Sequence, residues 1–524
     1  MNPAARTEMR APPADLFSAP DAGPCPLAEN PAALTITSVT LRGLESVPAE
    51  ALAPAYAAFL NRPNGDASDL CKVRDAVANA LFDRGLLVRV EIPAQTIDAG
   101  AVVLEVIEAR IANVTVRGDP GPAAPALERY AEKLRGMAPF DIARVQRYIL
   151  LASDVPGMQV RASVRPGSSG ERGAVDLDLT VERDEEEVIL NVQNLQAKAT
   201  GRWGVLGRYD LNARTRYGER TTLVFYRTLQ NEQWVAQGLT EARFGSEGLV
   251  VRGGLAYGES RPGGPLGGLG LKSVSVIGSM EAAYPVVRSR RKNIWAAAGV
   301  EVIDQDTRLG GAGKLINDDL RVVYARIEGD QTVYYGYRPI QLRGQVGLRQ
   351  GLNIFGATDK GDRLLSRADA RPSAWSLGAE GSILTLLTPT LSAYVEVSGQ
   401  YADKPLAAYE EFSVGSLTVG RGYDPGYVTG DKALAATFEL RAGPYQPRAG
   451  LTVSPYGFFD IAHTADRDRT GFNQTLKSVG FGVQIPVRER WMLDVGYAHP
   501  LDKSAIAARK PPGRLLVNFT ARFF

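Results

Sequence analysis

Alternating strand-like segments fill the C-terminal two thirds of the chain, and this pattern limits the possible folds most. The final segment places five apolar residues on one face: Leu515, Val517, Phe519, Ala521 and Phe523. Such alternation is typical of soluble β-sandwiches and of membrane β-barrels. The region from 188 to 524, roughly 340 residues, is too long for one sandwich, whereas about 16 membrane strands of about 10 residues fit it. We therefore predict a transmembrane β-barrel of about 16 antiparallel strands over 185–524.

Composition narrows the function classes. The 60 basic and 58 acidic residues give a net charge of +2, which does not indicate a nucleic-acid partner. With only two histidines, His463 and His499, the chain has little material for histidine-based catalysis or metal binding. We therefore expect a protein that is not an enzyme and that has no metal and no cofactor.

The N-terminal segment 1–32 is predicted to be a flexible lead, since six prolines within its first 30 residues disfavour a long helix there. It lacks a basic stretch followed by an apolar stretch, so it is not predicted to be a signal peptide. No run of about 18 apolar residues predicts a transmembrane helix anywhere in the chain. Two interpretations stay open: a cytosolic protein, or a secreted one whose signal was removed before this numbering begins.

Residues 33–184 repeat one pattern twice. The segment Val39-Thr40-Leu41-Arg42-Gly43 returns as Val114-Thr115-Val116-Arg117-Gly118, about 75 residues later. After each copy come two helical patterns and then two strand patterns. This order predicts two tandem α+β modules, at 33–111 and 112–184.

A glycine-rich loop near 411–432 carries Arg421-Gly422-Tyr423 ahead of a strongly alternating strand at 434–441. Glycines permit positive φ and close backbone approach, so the arginine and the tyrosine can enter a confined space. The alternative is a solvent-exposed loop whose arginine contributes little.

These segments resemble a known family. Arg421-Gly422-Tyr423, with Gly430-Asp431 and Glu439 behind it, is similar to the sixth-loop signature of two-partner secretion transporters. These are the haemolysin and filamentous-haemagglutinin exporters of the outer-membrane protein 85 superfamily. Phe458-Phe459-Asp460 resembles their barrel-wall motif. Two further segments resemble family sequences: Tyr284 to Arg290, and Leu365-Ser366-Arg367.

The resemblance implies two periplasmic POTRA modules before a 16-stranded outer-membrane barrel. It also implies that the loop folds into the lumen, where Arg421, Gly422 and Tyr423 lock against the inward-facing Asp460. A guanidinium matches a carboxylate with two parallel hydrogen bonds, which suits such a lock. Arg421→Ala is expected to leave an assembled barrel with impaired secretion.

The resemblance also implies a disulfide between Cys25 and Cys71, which would tie the lead to the first module in an oxidising periplasm. The alternative is two buried, reduced thiols. A metal site is disfavoured, because two cysteines without nearby histidine cannot fill four positions.

The first module is predicted to receive the client. Its strand at 87–92 offers an edge for main-chain hydrogen bonding, and a neighbouring helix offers apolar side chains. The candidate contacts are Val88, Val90, Ile92, Val73 and Val77. The alternative is that these side chains form the module's core.

We expect a pore that binds an unfolded β-rich exoprotein of the TpsA type in the periplasm and exports it. The expected partners are this client, outer-membrane lipid and the barrel assembly machinery, with the protein itself a monomer. An insertase of the same superfamily and a passive porin or receptor are the alternatives. Two periplasmic modules would be unexplained in a porin.

Overall fold

The computed structural model describes residues 23–28, 32–448, 450–467, 473–487, 490–505 and 507–523. Most of the predicted flexible lead, residues 1–22 and 29–31, therefore lies outside the described residues. The described chain forms two compact units that divide between Arg183 and Asp184.

The first module is a three-stranded sheet covered by helices. Its elements are β1 (Ser38–Arg42), α1 (Ala53–Tyr56), α2 (Asp69–Asp83), β2 (Val88–Glu91) and β3 (Ala101–Glu108). The last strand is central, with β1 parallel to it and β2 antiparallel. The helical segment at 49–59 consists of three short pieces. Short 3-10 turns flank α1, which begins at Ala53 and has Pro54 in its first turn, where proline is tolerated.

The second module repeats this topology. Its elements are β4 (Arg110–Gly118), α3 (Ala124–Glu132), α4 (Ile142–Ser153), β5 (Met158–Pro166) and β6 (Ala174–Arg183). Here β6 is central, parallel to β4 and antiparallel to β5. The Asp141 side chain accepts the Arg144 backbone N–H at 3.1 Å and so caps the start of α4. None of the described helices is long and apolar enough to span a membrane.

Backbone hydrogen bonds join the two modules to each other. The Phe140 N–H donates to the Ala109 carbonyl at 2.7 Å, and the Ile142 N–H donates to the Gly85 carbonyl at 2.8 Å. Arg172 of the second module adds ion pairs to Glu91 and Glu105 of the first. Main-chain bonds at this junction restrict hinge motion between the two modules.

The second unit is a closed antiparallel barrel of 16 wall strands within the described residues. The first eight are β7 (Glu186–Gln193), β8 (Gly204–Asn212), β9 (Arg220–Thr228), β10 (Gln233–Phe244), β11 (Leu249–Ser260), β12 (Lys272–Arg288), β13 (Lys292–Leu309) and β14 (Gly313–Tyr335). The others are β15 (Arg338–Gly351), β16 (Trp375–Thr388), β17 (Leu391–Ala402), β20 (Lys432–Ala442), β22 (Leu451–Ala465), β23 (Gln474–Val487), β24 (Trp491–Pro500) and β25 (Arg514–Phe523). Three short strands complete the numbering: β18 (Phe412–Val414) and β19 (Val428–Gly430) lie in one loop, and β21 (Tyr445–Arg448) lies in a hairpin. The wall closes where β25 pairs with β7.

The wall has an apolar exterior and a polar interior. In β20, Leu434, Phe438 and Leu440 are 63%, 46% and 52% exposed, whereas Glu439 and Arg441 are each 6% exposed. Apolar side chains on the outside and charged side chains within are the arrangement that a surrounding lipid phase requires. The predicted 16-stranded membrane barrel with preceding α+β modules is confirmed.

Candidate functional site

The loop between β17 and β20, residues 403–431, lies inside the barrel. We call it the lumen loop. Its two short strands β18 and β19 pair as a hairpin. Its buried Val414 and Tyr423 pack against inward-facing wall residues: Ala435 of β20, Ala462 of β22 and Leu476 of β23.

Arg421, at the tip of the lumen loop, contacts two carboxylates of the wall. Its Nη2 and Nε donate to the two oxygens of Asp460 at 2.9 and 3.2 Å, and its Nη1 donates to Glu439 at 2.6 Å. Its backbone N–H also donates to Asp460 at 2.8 Å. Asp460 is fully buried, so its charge is balanced chiefly by this arginine. We call this cluster the tip anchor.

Side chains of the wall also contribute to the tip anchor. Thr437 and Ser478 each donate a hydroxyl to Asp460 at 3.2 Å, and Arg441 donates to Glu439 at 2.6 Å. The Phe458 ring lies 3.5 Å from the guanidinium carbon of Arg421. Because a ring face attracts a cation, Phe458 stabilises the Arg421 guanidinium in addition to the two carboxylates.

Gly422 and Tyr423 complete the tip. A Cβ on Gly422 would lie 2.8 Å from the Pro500 nitrogen and 2.9 Å from the Ser478 Cβ, so only glycine fits without displacement. The Tyr423 hydroxyl lies 2.7 Å from the Lys477 carbonyl and accepts the Asp502 N–H at 3.1 Å. The structure thus brings together all four residues predicted for the lumen loop, and their role as a lock stays a prediction.

A second cluster, which the sequence analysis missed, holds the other end of the lumen loop. Arg367 of the loop 352–374 donates to Asp431 at 2.8 and 3.3 Å and also contacts Glu411. Asp431 is fully buried and accepts the backbone N–H groups of Leu406 and Arg467, each at 2.7 Å. We call this cluster the base anchor. The available signal was that Leu365-Ser366-Arg367 and Gly430-Asp431 both resembled family segments, and buried charges need opposite partners.

A third contact ties the tip to the closing strands of the barrel. Arg514, the first residue of β25, donates to the Tyr423 carbonyl at 2.7 Å and to Asp424 at 2.9 Å. The same guanidinium reaches the carbonyls of Asn194 and Gln196, which follow β7, at 3.3 Å. Arg514 therefore joins the lumen loop to both strands of the seam between β25 and β7.

The predicted client contacts lie largely within the core of the first module. Val73 and Val77 are fully buried, Val88 and Val90 are 3% and 6% exposed, and Ile92 is partly buried. Their spacing on a helix and a strand thus reflects packing. Among the described residues no strand pairs with the outer edge of β2, so its backbone is the accessible feature. Client contact through these side chains stays a prediction.

Cys25 and Cys71 are disulfide-bonded, with their Cα atoms 5.8 Å apart. Cys71 lies in the first turn of α2, so the bond ties the segment at 23–28 to the first module. Within the described residues no group of three or more histidine, cysteine or acidic side chains has the geometry of a metal site.

Two parts of the chain match families of known proteins. Residues 312–485 match the family described as haemolysin secretion/activation protein ShlB/FhaC/HecB, and this range contains the tip and base anchors. Residues 34–109 match the POTRA domain of the ShlB type. No curated protein matches the chain in sequence.

Solved structures show the same fold at low sequence identity. CdiB from Escherichia coli is 15% identical with a TM-score of 0.77, and the match covers 97% of this chain and 94% of that one. CdiB from Acinetobacter baumannii is 14% identical with a TM-score of 0.67, covering 94% of this chain and 90% of that one. BamA from Haemophilus ducreyi, lacking POTRA domains 1–3, is 13% identical with a TM-score of 0.57 and covers 94% and 100%.

The barrel and the family matches together support an outer-membrane secretion pore with a secreted exoprotein as its partner. Residues 312–485 are therefore similar to the haemolysin secretion/activation family ShlB/FhaC/HecB, and residues 34–109 are similar to the POTRA domain of the ShlB type.

Proposed function

We propose that the protein binds an unfolded, β-rich exoprotein of the TpsA type in the periplasm and exports it through the barrel. The two modules lie in the periplasm, and the C-terminal end of β7 lies at the outer surface of the membrane. The protein acts as a monomer, is not an enzyme, and reaches its lipid bilayer through the barrel assembly machinery. The fastening of the lumen loop is the observation that carries this proposal.

The lumen loop is fastened by ion pairs and hydrogen bonds on several sides. Its tip binds the wall through Arg421, and its base binds a neighbouring loop through Arg367. Ion pairs exchange readily with water or with charges of a passing chain, whereas a large apolar core does not. An occupied lumen with exchangeable fastenings suits a pore that is closed at rest and cleared by its client.

The client docks on the first module through the outer edge of β2. An extended segment can add a strand there by main-chain hydrogen bonding, and this mode tolerates varied client sequences. Arg89, whose side chain is 79% exposed, and Glu91 lie along this strand and provide charged contacts. The buried valines support the edge from beneath.

Insertion of other barrel proteins is a second candidate function, because the seam of the barrel is short. The pairing of β25 with β7 contains six residue pairs among the described residues, whereas β7–β8 and β24–β25 contain eight each. A pairing with fewer residue pairs is easier to separate sideways than the two strand pairings beside it. Arg514 of β25 bonds both the lumen loop and the residues that follow β7, and so holds this seam closed. This contact favours export through the lumen over lateral release.

Secretion by intact cells separates these functions. Cells carry the protein together with a β-rich exoprotein encoded beside it, and exoprotein in the medium is measured with and without the protein. We expect exoprotein in the medium only when the protein is present, with other outer-membrane barrels unchanged. Retained exoprotein in both strains, with other barrels depleted in the strain without the protein, would support the insertase instead.

A further inference from the structure

Four basic residues form a row at one end of the barrel, on the outward face of β11 to β14. Lys272 of β12 pairs in register with Arg308 of β13, which pairs in turn with Lys314 of β14. Arg261 directly follows Ser260, the last residue of β11, whose register partner Ser273 is next to Lys272. We call these four residues the cation row. It lies at the end of the barrel where β7 finishes.

An apolar band leads directly to the cation row. On β12, the outward-facing Val276, Met280 and Tyr284 are 36%, 60% and 40% exposed. Val274 is the last outward apolar residue before Lys272. Ten residues separate Tyr284 from Val274, about 33 Å along a strand and about 23 Å in height at a tilt of about 45°. Since the apolar band of such barrels is about 25 Å tall, the row lies at the height of lipid headgroups.

The cation row carries more positive than negative charge. Glu259 pairs with Arg261 at 2.7 Å and with Lys272 at 3.0 Å. Asp306 pairs with Arg308 at 2.8 Å and with Lys314 at 2.7 Å. Four cations thus share two carboxylates. On the same face, Asp304 is engaged with Arg321 at 2.6 Å and Asp319 with the Asn317 amide at 2.8 Å.

The two carboxylates balance only part of this positive charge, and an external anion can balance the rest. Like charges directly opposite each other on neighbouring strands destabilise a sheet. The side chains of Arg261 and Arg308 are 63% and 62% exposed, so an anion can reach them. Guanidinium and ammonium groups are the side chains that bind phosphate most strongly.

We propose that the cation row binds the phosphate groups of a phosphorylated lipid in the outer leaflet. The acyl chains of this lipid cover the apolar band beneath, between Val274 and Tyr284. The inference rests on the orientation given under the proposed function, because that orientation places the row in the outer leaflet. It assigns a lipid chemistry to a surface that takes no part in the lumen loop.

The test uses the full chain in phosphatidylcholine nanodiscs that contain either bisphosphorylated or dephosphorylated lipid A. Native mass spectrometry counts the lipid A molecules retained. We expect retention of the phosphorylated form only. In Lys272→Gln/Arg308→Gln it weakens roughly 25-fold, at about fivefold for each basic residue removed. The matched control Arg338→Gln/Arg448→Gln, at exposed positions on the opposite barrel end, retains lipid as the unaltered protein does.

A variant of opposite sign guards against a folding defect. Glu259→Gln/Asp306→Asn removes the two carboxylates and is expected to retain more phosphorylated lipid A, which a misfolded barrel would not do. Equal retention by the Lys272→Gln/Arg308→Gln variant and the unaltered protein would overturn the proposal. Competition by millimolar inorganic phosphate would also overturn it, by showing a site for free phosphate.

The two proposals fail in different ways. We expect the cation-row variants to secrete exoprotein normally, so loss of lipid retention leaves export intact. Absence of export by the unaltered protein, with phosphorylated lipid A still retained, would instead count against the proposed function alone.

Discussion

The tip anchor and the base anchor hold one loop in opposite ways. At the tip, the arginine belongs to the loop and the carboxylates Glu439 and Asp460 belong to the wall. At the base, the carboxylates Glu411 and Asp431 belong to the loop, and Arg367 belongs to a neighbouring loop. The tip is therefore fixed to wall strands, whereas the base is fixed to a neighbouring loop.

This difference indicates which anchor opens first. Withdrawing the tip leaves Asp460 without its arginine while Glu439 keeps Arg441, and an incoming cation or water can stabilise this state. The base can stay paired, because Asp431 directly precedes β20 and also accepts the Arg467 N–H. We infer that the lumen loop leaves its seat from the tip, with the base as its pivot.

Removing the tip arginine gives the largest expected effect. Arg421→Ala leaves Asp460 buried without its chief partner, and breaking a buried pair in this way costs about 3–5 kcal/mol. We expect the open fraction of the pore in planar bilayers to rise at least about 100-fold, and secretion to fall because the tip no longer has a fixed seat from which the client displaces it. The control Arg338→Ala, at an exposed strand end, leaves both unchanged. Normal secretion by Arg421→Ala would show that the lock is unnecessary.

Removing the base arginine is expected to have a smaller effect. In Arg367→Ala, Asp431 keeps the Leu406 and Arg467 N–H donors, and Glu411 keeps the Thr429 hydroxyl at 2.6 Å. Because the stranded carboxylates keep these hydrogen bonds, we expect the open fraction to rise about 10-fold. An effect as large as that of Arg421→Ala would contradict the assignment of the base as a pivot.

A substitution that keeps the positive charge at position 421 but removes the guanidinium sharpens the comparison further. Arg421→Lys retains one positive charge but lacks the planar guanidinium, whose different N–H groups bond Asp460 and Glu439 at the same time. We expect an increase in open fraction of about fivefold, between the unaltered protein and Arg421→Ala. An unchanged conductance would mean that the charge alone seats the tip.

The supporting hydroxyl is expected to matter least. Ser478→Ala removes one hydrogen bond of 3.2 Å to Asp460, a loss of about 1 kcal/mol, while the arginine and Thr437 remain. The open fraction should rise no more than about fivefold, and the thermal stability of the barrel should stay unchanged. An effect above that of Arg421→Lys would mean that the wall hydroxyls, and not the guanidinium, orient Asp460.

The sequence predicts the barrel and the tandem modules well, because both depend on local periodicity. Alternation of apolar residues marks the wall strands, and the repeat of Val39 to Gly43 marks the modules. The strand order within each module is less accessible. The parallel pairing of β1 with β3 joins segments about 60 residues apart, and local patterns carry no record of such pairings.

The site is partly predictable. Arg421 and Asp460 were paired through a family resemblance, and Glu439 stood in the same signature without a partner assigned to it. The base anchor was missed because Arg367 and Asp431 lie in separate loops that only the folded barrel brings together. The valines predicted as client contacts are buried, because a periodic spacing of apolar residues indicates packing in a core and does not by itself indicate a binding surface.

The continuous hydrogen bonding of the wall limits the size of what can pass through the lumen. A closed sheet of 16 strands has a fixed circumference, so the lumen cannot widen to suit its cargo. Clearing the lumen loop adds only the cross-section that this loop had occupied. A polypeptide in transit must therefore travel as an extended chain or a narrow hairpin, and any compact domain in it must form after that part has emerged.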